Sequence, residues 1–331
     1  MGLGAIRAQA VVVEAPGGPE VLALREVEVA APGPGEVRIR HTAIGLNYID
    51  TYFRTGLYPL PLPFTPGVEG AGVVEAVGEG VEGLREGDRV AYCWGPPGGY
   101  ATHRLLPADH VVRLPEGISD ELAAAALLKG CTAEYLIERC ARVEEGQWVL
   151  LHAAAGGVGQ IAAQWLAAIG ARAIGTVSSE AKAAMAREAG CEAVVRYDGG
   201  RDWVAEVREL TGGEGVAVVI DGVGAATFDG SLRCLRRRGL MISYGAASGP
   251  VPPFETGLLG RMGSLFLTRP SLFDYCFTRA EKMASADRVF GLLEAGVLSA
   301  RIDQRFALAE AAEAHRALES RATTGSTLLL P

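Results

Sequence analysis

Behind the apolar run WVLLHA (148–153), the stretch AAAGGVGQIAAQWLAAIG sets Ala154, Gly156 and Gly159 at the three spacings of a G-x-G-x-x-G turn, with alanine in the first place. Small residues are a physical requirement in such a turn. Backbone must approach a pyrophosphate closely at Gly156, the helix must pack tightly on the strand at Gly159, and the helix N-terminus then offers N–H groups to the anion. The loop Ala155, Gly156, Gly157, Val158 and Gly159 is therefore the candidate cradle of a dinucleotide. About 20 residues on, an NAD site carries an acid that accepts from the ribose 2′-OH. Here the stretch is Thr176-Val177-Ser178-Ser179-Glu180-Ala181-Lys182. Ser178 at the tip with Ser179 and Lys182 behind it suits a 2′-phosphate, since hydroxyls and a cation replace a repelling carboxylate. Glu180 at the tip would restore NAD. Spacing favours NADP and leaves both open.

Other chemistry is sparse. The five histidines (His41, His103, His110, His152 and His315) include no pair at the i, i+4 spacing of a helical metal site, and the expectation is that they pack or lie on the surface. Cys93, Cys131, Cys140, Cys191, Cys234 and Cys276 form no C-x-x-C pair and are expected to be reduced. With 31 Lys and Arg against 39 Asp and Glu, the formal charge of −8 disfavours nucleic acid, whose phosphates supply most nonspecific affinity. The first residues lack the apolar core of a signal peptide, and polar residues interrupt the most apolar stretch, 149–177. A cytoplasmic protein without a membrane span is the expectation.

These residues need elements to position them. Over the first third, Val37-Arg38-Ile39-Arg40-His41 alternates at period 2 and Gly/Pro clusters punctuate short runs, which predicts β structure. At Ser119 the texture changes: SDELAAAALLKG predicts an N-capped helix. Strands then alternate with helices to about residue 245, which predicts a parallel sheet with helices on both faces. Beyond Pro270 the pattern predicts a helix over 279–295, a strand over 297–302, a helix over 308–319 and a closing strand STLLL that completes the β-rich first domain.

Many ordered motifs together carry a resemblance: GGPEVL at 17–22, AIGLNYIDTYFRTGLYP at 43–59, GVEGAGVVEAVG at 67–78, GDRVAY at 87–92, LKGCTAEYL at 128–136, LMISYG at 240–245, LTRPSL at 267–272 and LESRATTGSTLLLP at the end. With the glycine loop, the chain resembles the zinc-free quinone oxidoreductases, the zeta-crystallin-like group of the medium-chain dehydrogenase/reductase superfamily, over nearly its whole length. One departure is Ala167, where the group usually has Lys, Arg or Ser. The resemblance implies an α/β protein: a GroES-like β-rich catalytic domain over 1–126, completed by 270–331, and a Rossmann domain with a doubly wound parallel sheet over 127–269. It implies NADP(H) as cofactor, a small quinone or conjugated carbonyl as substrate, and a homodimer. Zinc is not implied. Zinc-dependent relatives carry a Cys near the place of Asn47 and a G-H-E motif where this chain reads Gly67-Val68-Glu69, and only Cys93 falls within 80–120, where a structural zinc needs four thiolates.

By the same resemblance Asn47, Asp50 and Tyr52 lie near the nicotinamide, with Asn47 and Tyr52 donating to a carbonyl. Lys129 and Thr132 contact the cofactor from a domain-joining helix, and Tyr244, Gly245, Thr268 and Arg269 belong to loops around the nicotinamide and phosphates. Lys182, Tyr197 and Arg321 surround the 2′-phosphate. Quinone reduction by direct hydride transfer is the activity expected, with reduction of the C=C bond of enals or enones, or non-enzymatic NADPH binding, as alternatives.

Overall fold

The computed structural model describes residues 4–197, 200, 202–320 and 323–331, and the chain divides into two compact units. Unit 1 holds residues 1–128, 276–294 and 300–331; unit 2 holds 129–275 and 295–299. The sequence reading put these borders at 126/127 and 269/270. Residues up to Tyr275 stay with unit 2 because the Tyr275 ring stacks on Tyr135 at 4.7 Å and its carbonyl accepts from Arg139.

The first elements are β1 (Ile6–Val12), β2 (Ala23–Val29), β3 (Glu36–Leu46), α1 (Tyr48–Thr55), β4 (Glu69–Val77), β5 (Arg89–Tyr92), β6 (His103–Pro107), β7 (Val112–Arg113) and α2 (Asp120–Glu134). Val37 and Ile39 are fully buried, as the period-2 pattern requires. Ser119 caps α2, its Oγ accepting from the Leu122 N–H at 3.2 Å.

Unit 2 continues with β8 (Trp148–Leu151), α3 (Gly157–Ala168), β9 (Arg172–Val177), α4 (Glu180–Glu188), β10 (Ala193–Arg196), α5 (Trp203–Leu210), β11 (Val216–Asp221), α6 (Phe228–Cys234), β12 (Leu235–Ser243), α7 (Gly257–Arg261), β13 (Phe266–Thr268) and α8 (Leu272–Tyr275). Among the described residues its six strands pair in the order β10-β9-β8-β11-β12-β13, all parallel. Counted from β8, that is 3-2-1-4-5-6, the doubly wound order whose direction reverses between β8 and β11. Ligands bind beyond the carboxyl ends of the strands at that reversal, and the glycine loop follows β8 there. Leu150, Ile174, Val219 and Met241, one from each of four strands, bury into a common core with Phe228 and Leu232 of α6.

The chain then returns through α9 (Arg279–Glu294), β14 (Ile302–Ala307), α10 (Ala311–Glu319) and β15 (Ser326–Leu330). β15 lies between β14, parallel, and β3, antiparallel, in the sheet β14-β15-β3-β4-β5-β7, with β6 paired to β3 as well. The closing strand therefore completes the β-rich unit. The strand expected over 297–302 starts instead at Ile302. Ser299 is held away from any ladder by Gln164, whose Oε1 accepts the Ser299 N–H at 2.7 Å and whose Nε2 donates to its carbonyl at 3.1 Å.

No helix among the described residues is long and apolar enough to cross a membrane. The six cysteines are free thiols.

Candidate functional site

Unit 2 builds a dinucleotide edge. After Leu151 the chain turns through Ala153, whose φ of 53° is left-handed, at a general cost of roughly 1–2 kcal/mol for a residue with a Cβ. Gly156 N-caps α3, and Gln160 Nε2 reaches back to the Ala155 carbonyl at 2.8 Å, fixing the loop. The two glycines do different work. A Cβ on Gly159 would collide with the Ala153 carbonyl and lie 2.7 Å from Ala154 Cα, so that glycine is required by helix-on-strand packing. On Gly156 a Cβ would meet the Ala153 carbonyl, at 3.2 Å, and nothing else within 4 Å. The first-turn N–H groups of α3, including those of Gly157, Val158 and Gly159, have no carbonyl four residues back to receive them.

Next to that loop, β9 ends at Val177 and Ser178 follows it, exposed. Ser179 is the N-cap of α4, its Oγ accepting the Lys182 N–H. The Tyr197 N–H donates to the Val177 carbonyl at 3.2 Å, which draws the tip of β10 beside Ser178. Glu180 is not at the tip. It opens α4 and its carboxylate accepts from Arg196 at 2.7 Å and Arg187 at 3.3 Å, which hold its pKa below the usual carboxylate range. The acid that could have marked a 2′-hydroxyl is thus paired to arginines. Arg321 lies outside the described residues.

On the other side of the reversal, the Tyr244 and Gly245 N–H groups donate to the Asp221 carbonyl at 2.9 and 3.4 Å, and a Cβ on Gly245 would lie 2.8 Å from Gly222 Cα. Thr268 pairs in register with Ile242, and Arg269 Nη1 donates to the Ser243 carbonyl at 2.7 Å, closing this edge. Lys129 and Thr132 are buried on α2.

Below the loop, His152 ties the strand tips together. One ring nitrogen meets Thr176 Oγ1 of β9 at 2.8 Å, the other Ser231 Oγ of α6 at 2.9 Å. Thr227 and Ser231 hydroxyls donate to Asp221 Oδ2, while Asp221 Oδ1 accepts the N–H groups of Val223 and Gly224. The turn after β11 is thereby fixed by a carboxylate that no solvent reaches.

Unit 1 carries a polar cluster at the start of α1. Asn47 caps the helix in extended conformation, and its main-chain N–H donates to Asp50 Oδ2 at 2.9 Å. Asn47 Nδ2 donates to Glu69 Oε2 at 2.8 Å and, weakly, to the Gly45 carbonyl at 3.4 Å. Glu69 Oε1 accepts the Leu128 N–H at 2.7 Å. The Tyr52 ring, from the same helix, packs against Tyr48 at 5.8 Å and Tyr58 at 5.2 Å between centroids. Asp50 is fully buried, so its carboxylate holds the helix start and offers no open face to a ligand.

Sequence reasoning missed Glu69, Tyr100, Arg54, His315, His152 and Asp221 as members of these clusters. A signal existed for Glu69: a lone acid inside the small, apolar run GVEGAGVV must find a buried donor. The histidines expected to pack do so where buried. His41 bonds the Ala101 carbonyl at 2.6 Å and Tyr92 at 2.7 Å, and His315 bonds Arg54 and Tyr100, each at 3.0 Å. Among the described residues, no group of three His, Cys, Asp or Glu converges as a metal ligand set.

Burial lowers both His41 and His315 from 6.5 to about 3. Unfolded, each takes a proton near its ordinary value; folded, each resists down to about 3. Stability is therefore whole above that ordinary value and falls as acidity increases toward about 3, by roughly 1.4 kcal/mol per pH unit per histidine at most. Urea unfolding at pH 7.5 and pH 5.0 should show a midpoint clearly lower at pH 5.0; equal midpoints would mean that these rings gain protons within the fold.

Comparison with known proteins gives a consistent result. Residues 33–116 match the alcohol dehydrogenase GroES-like domain and residues 157–294 the family described as zinc-binding dehydrogenase. A quinone oxidoreductase of Pseudomonas aeruginosa is 51% identical over 316 residues, covering 95% of this chain and 97% of that protein. A 2-haloacrylate reductase of a Burkholderia species is 44% identical over 330 residues, covering 97% and 98%. The crystal structure of Escherichia coli quinone oxidoreductase complexed with NADPH superposes with a TM-score of 0.96 at 45% identity, covering 98% of this chain and all of that one.

Proposed function

Because the chain belongs to the quinone oxidoreductases of the medium-chain dehydrogenase/reductase superfamily, we propose that it is an NADPH-dependent reductase that transfers hydride directly to quinones. The observation that carries the cofactor choice is the edge beyond β9, where Ser178 follows the strand tip, Ser179 caps α4 by accepting the Lys182 N–H and the Tyr197 N–H bonds the Val177 carbonyl, while Glu180 is diverted to Arg187 and Arg196. The glycine loop fits the pyrophosphate, since Gly156 leaves clear the space a Cβ would fill. NADPH, when bound, supplies the hydride; Gly156, Gly157 and Val158 hold its pyrophosphate, and Tyr244, Gly245, Thr268 and Arg269 support the nicotinamide end.

Asn47 and Tyr52 are the donors to the acceptor carbonyl. Glu69 orients the Asn47 amide with one short bond, and the second N–H, held at only 3.4 Å, is the one available to an oxyanion. A quinone takes one hydride and one proton to become a hydroquinone, and the proton comes from solvent or a hydroxyl. Zinc does not fit this chain. At the places where zinc-dependent relatives carry ligands stand Asn47, already committed to Glu69, and Val68, which has no donor atom. Metal analysis after dialysis against chelator should return no stoichiometric zinc.

A second reading, reduction of a conjugated C=C bond, is favoured by the 44% identity to a 2-haloacrylate reductase. NADPH oxidation followed with 1,4-benzoquinone and 9,10-phenanthrenequinone beside an enal, an enone and 2-chloroacrylate separates the two. Rapid turnover confined to quinones supports the first; turnover confined to the alkenes moves the assignment to C=C reduction. Tight NADPH binding with no turnover would indicate a non-enzymatic binding protein. We read the protein as cytoplasmic and as a homodimer, the latter supported by the edge strand β13, where Phe266 is 60% exposed.

A further inference from the structure

Five side chains of unit 1, brought from three distant stretches of chain, form one hydrogen-bonded line that the reaction as read above does not use. Glu319 accepts two bonds from Arg54, at 2.6 and 2.9 Å. Arg54 Nη1 lies 3.0 Å from His315 Nδ1, His315 Nε2 lies 3.0 Å from the Tyr100 hydroxyl, and that hydroxyl lies 3.0 Å from Asp50 Oδ2. Arg54, Tyr100, His315 and Asp50 are all at most 1% exposed; the Glu319 side chain, at 33%, opens the line to solvent.

The direction of every bond follows from the one member that cannot change. A guanidinium only donates, so His315 Nδ1 accepts. A neutral imidazole with an accepting Nδ1 carries its hydrogen on Nε2, which therefore donates to the Tyr100 oxygen. The single Tyr100 hydrogen is then left for Asp50. Burial keeps both intermediates neutral, holding the imidazole at about 3 and pushing the phenol well above its ordinary range. From the buried Arg54 inward, the bonds thus all point toward Asp50 Oδ2, the same oxygen that accepts the Asn47 main-chain N–H.

We propose that Tyr100 and His315 are positioning residues for the electron acceptor: acting through Asp50, they set the orientation of the first turn of α1 and with it Asn47 and Tyr52. The inference rests on the reading of Asn47 and Tyr52 as the acceptor's donors. A directional line suits that task better than a single ion pair. Each bond has only one arrangement, so the helix start has one orientation instead of several of similar energy.

Tyr100→Phe removes one hydroxyl and with it two bonds, the one it accepts from His315 and the one it donates to Asp50, of which the second is the one that reaches α1. It should raise the KM for quinone about tenfold, the worth of about 1.4 kcal/mol for one buried hydrogen bond, while the NADPH dissociation constant stays within about twofold, since that site is built in unit 2. His315→Leu should act in the same direction and more strongly. His315→Gln, whose amide can accept from Arg54 and donate to Tyr100, should recover most of the loss. The KM split is read on whichever acceptor the wild-type protein turns over. Unchanged acceptor KM in Tyr100→Phe and His315→Leu, or a parallel loss of acceptor and NADPH affinity, would overturn the proposal. An activity-independent readout separates its failure from that of the functional reading. In 15N-labelled protein the His315 resonances should report the Nε2–H tautomer at pH 7 and shift in Tyr100→Phe. An Nδ1–H tautomer overturns the line of bonds, whatever the enzyme reduces.

Discussion

Gly156→Val is expected to weaken NADPH binding by about a hundredfold or more, about 2.7 kcal/mol, with the fold intact. The backbone at Gly156, φ −78° and ψ 171°, is ordinary extended geometry open to any residue, so valine adds no backbone strain. Its Cβ meets only the Ala153 carbonyl, a tight contact at 3.2 Å that a shift of a few tenths of an ångström relieves, and the added bulk sits on the residue whose backbone a pyrophosphate must approach. Gly159→Val is the contrasting case. There the added atoms strike the Ala153 carbonyl and Ala154, so the expected result is a lowered melting temperature or loss of soluble protein. Fluorescence titration with NADPH beside thermal melts distinguishes the two. Unchanged affinity in a folded Gly156→Val protein would mean that the loop is a tight turn and nothing more.

The second large effect is a change of preference between nucleotides. Lys182→Ala should raise the dissociation constant for NADPH by about 10- to 100-fold, the range of a charge-assisted hydrogen bond. For NADH it should change less than about twofold, because only the 2′-phosphate differs. The loss should shrink as salt rises, since the edge beyond β9 is open to solvent and its charges are screened there. Glu180→Ala should leave NADH binding alone, because that carboxylate is spent on Arg187 and Arg196. Equal losses for both nucleotides in Lys182→Ala would remove the 2′-phosphate from this edge.

What was legible in the sequence was what neighbouring residues determine. The glycine loop, the cap at Ser119 and the strand read from the alternation along β3 are local patterns whose physics lies within a turn or two of chain, and each stands in the structure where it was read, except that Arg38, a polar position of that alternation, is buried and bonded to Glu75 and the Gly4 carbonyl. Whether Ser178 or Glu180 ends β9 depended on a strand boundary, which spacing alone left open. The Asp50 line was beyond reach because its members are separated by as many as 265 residues and meet only after the sheet of unit 1 has closed. Arg54 is the sharpest case. On a helix reading YIDTYFRT it has the look of a solvated cation, yet it is 1% exposed, and its partners His315 and Glu319 come from a helix at the far end of the chain.

The place of β15 has a consequence for the order in which the protein is made. This strand sits inside the sheet of unit 1, between β14 and β3, yet it follows the whole of unit 2 along the chain. A ribosome therefore delivers the doubly wound unit complete while the end of β3, residues 44–46, still waits for β15, and Leu328 and Leu329, both fully buried when folded, arrive after it. The unit begun first is finished second. Until then the end of β3, at Ile44 and Leu46, presents a short unpaired apolar edge to the cell, the kind of surface that chaperones hold and that aggregation exploits.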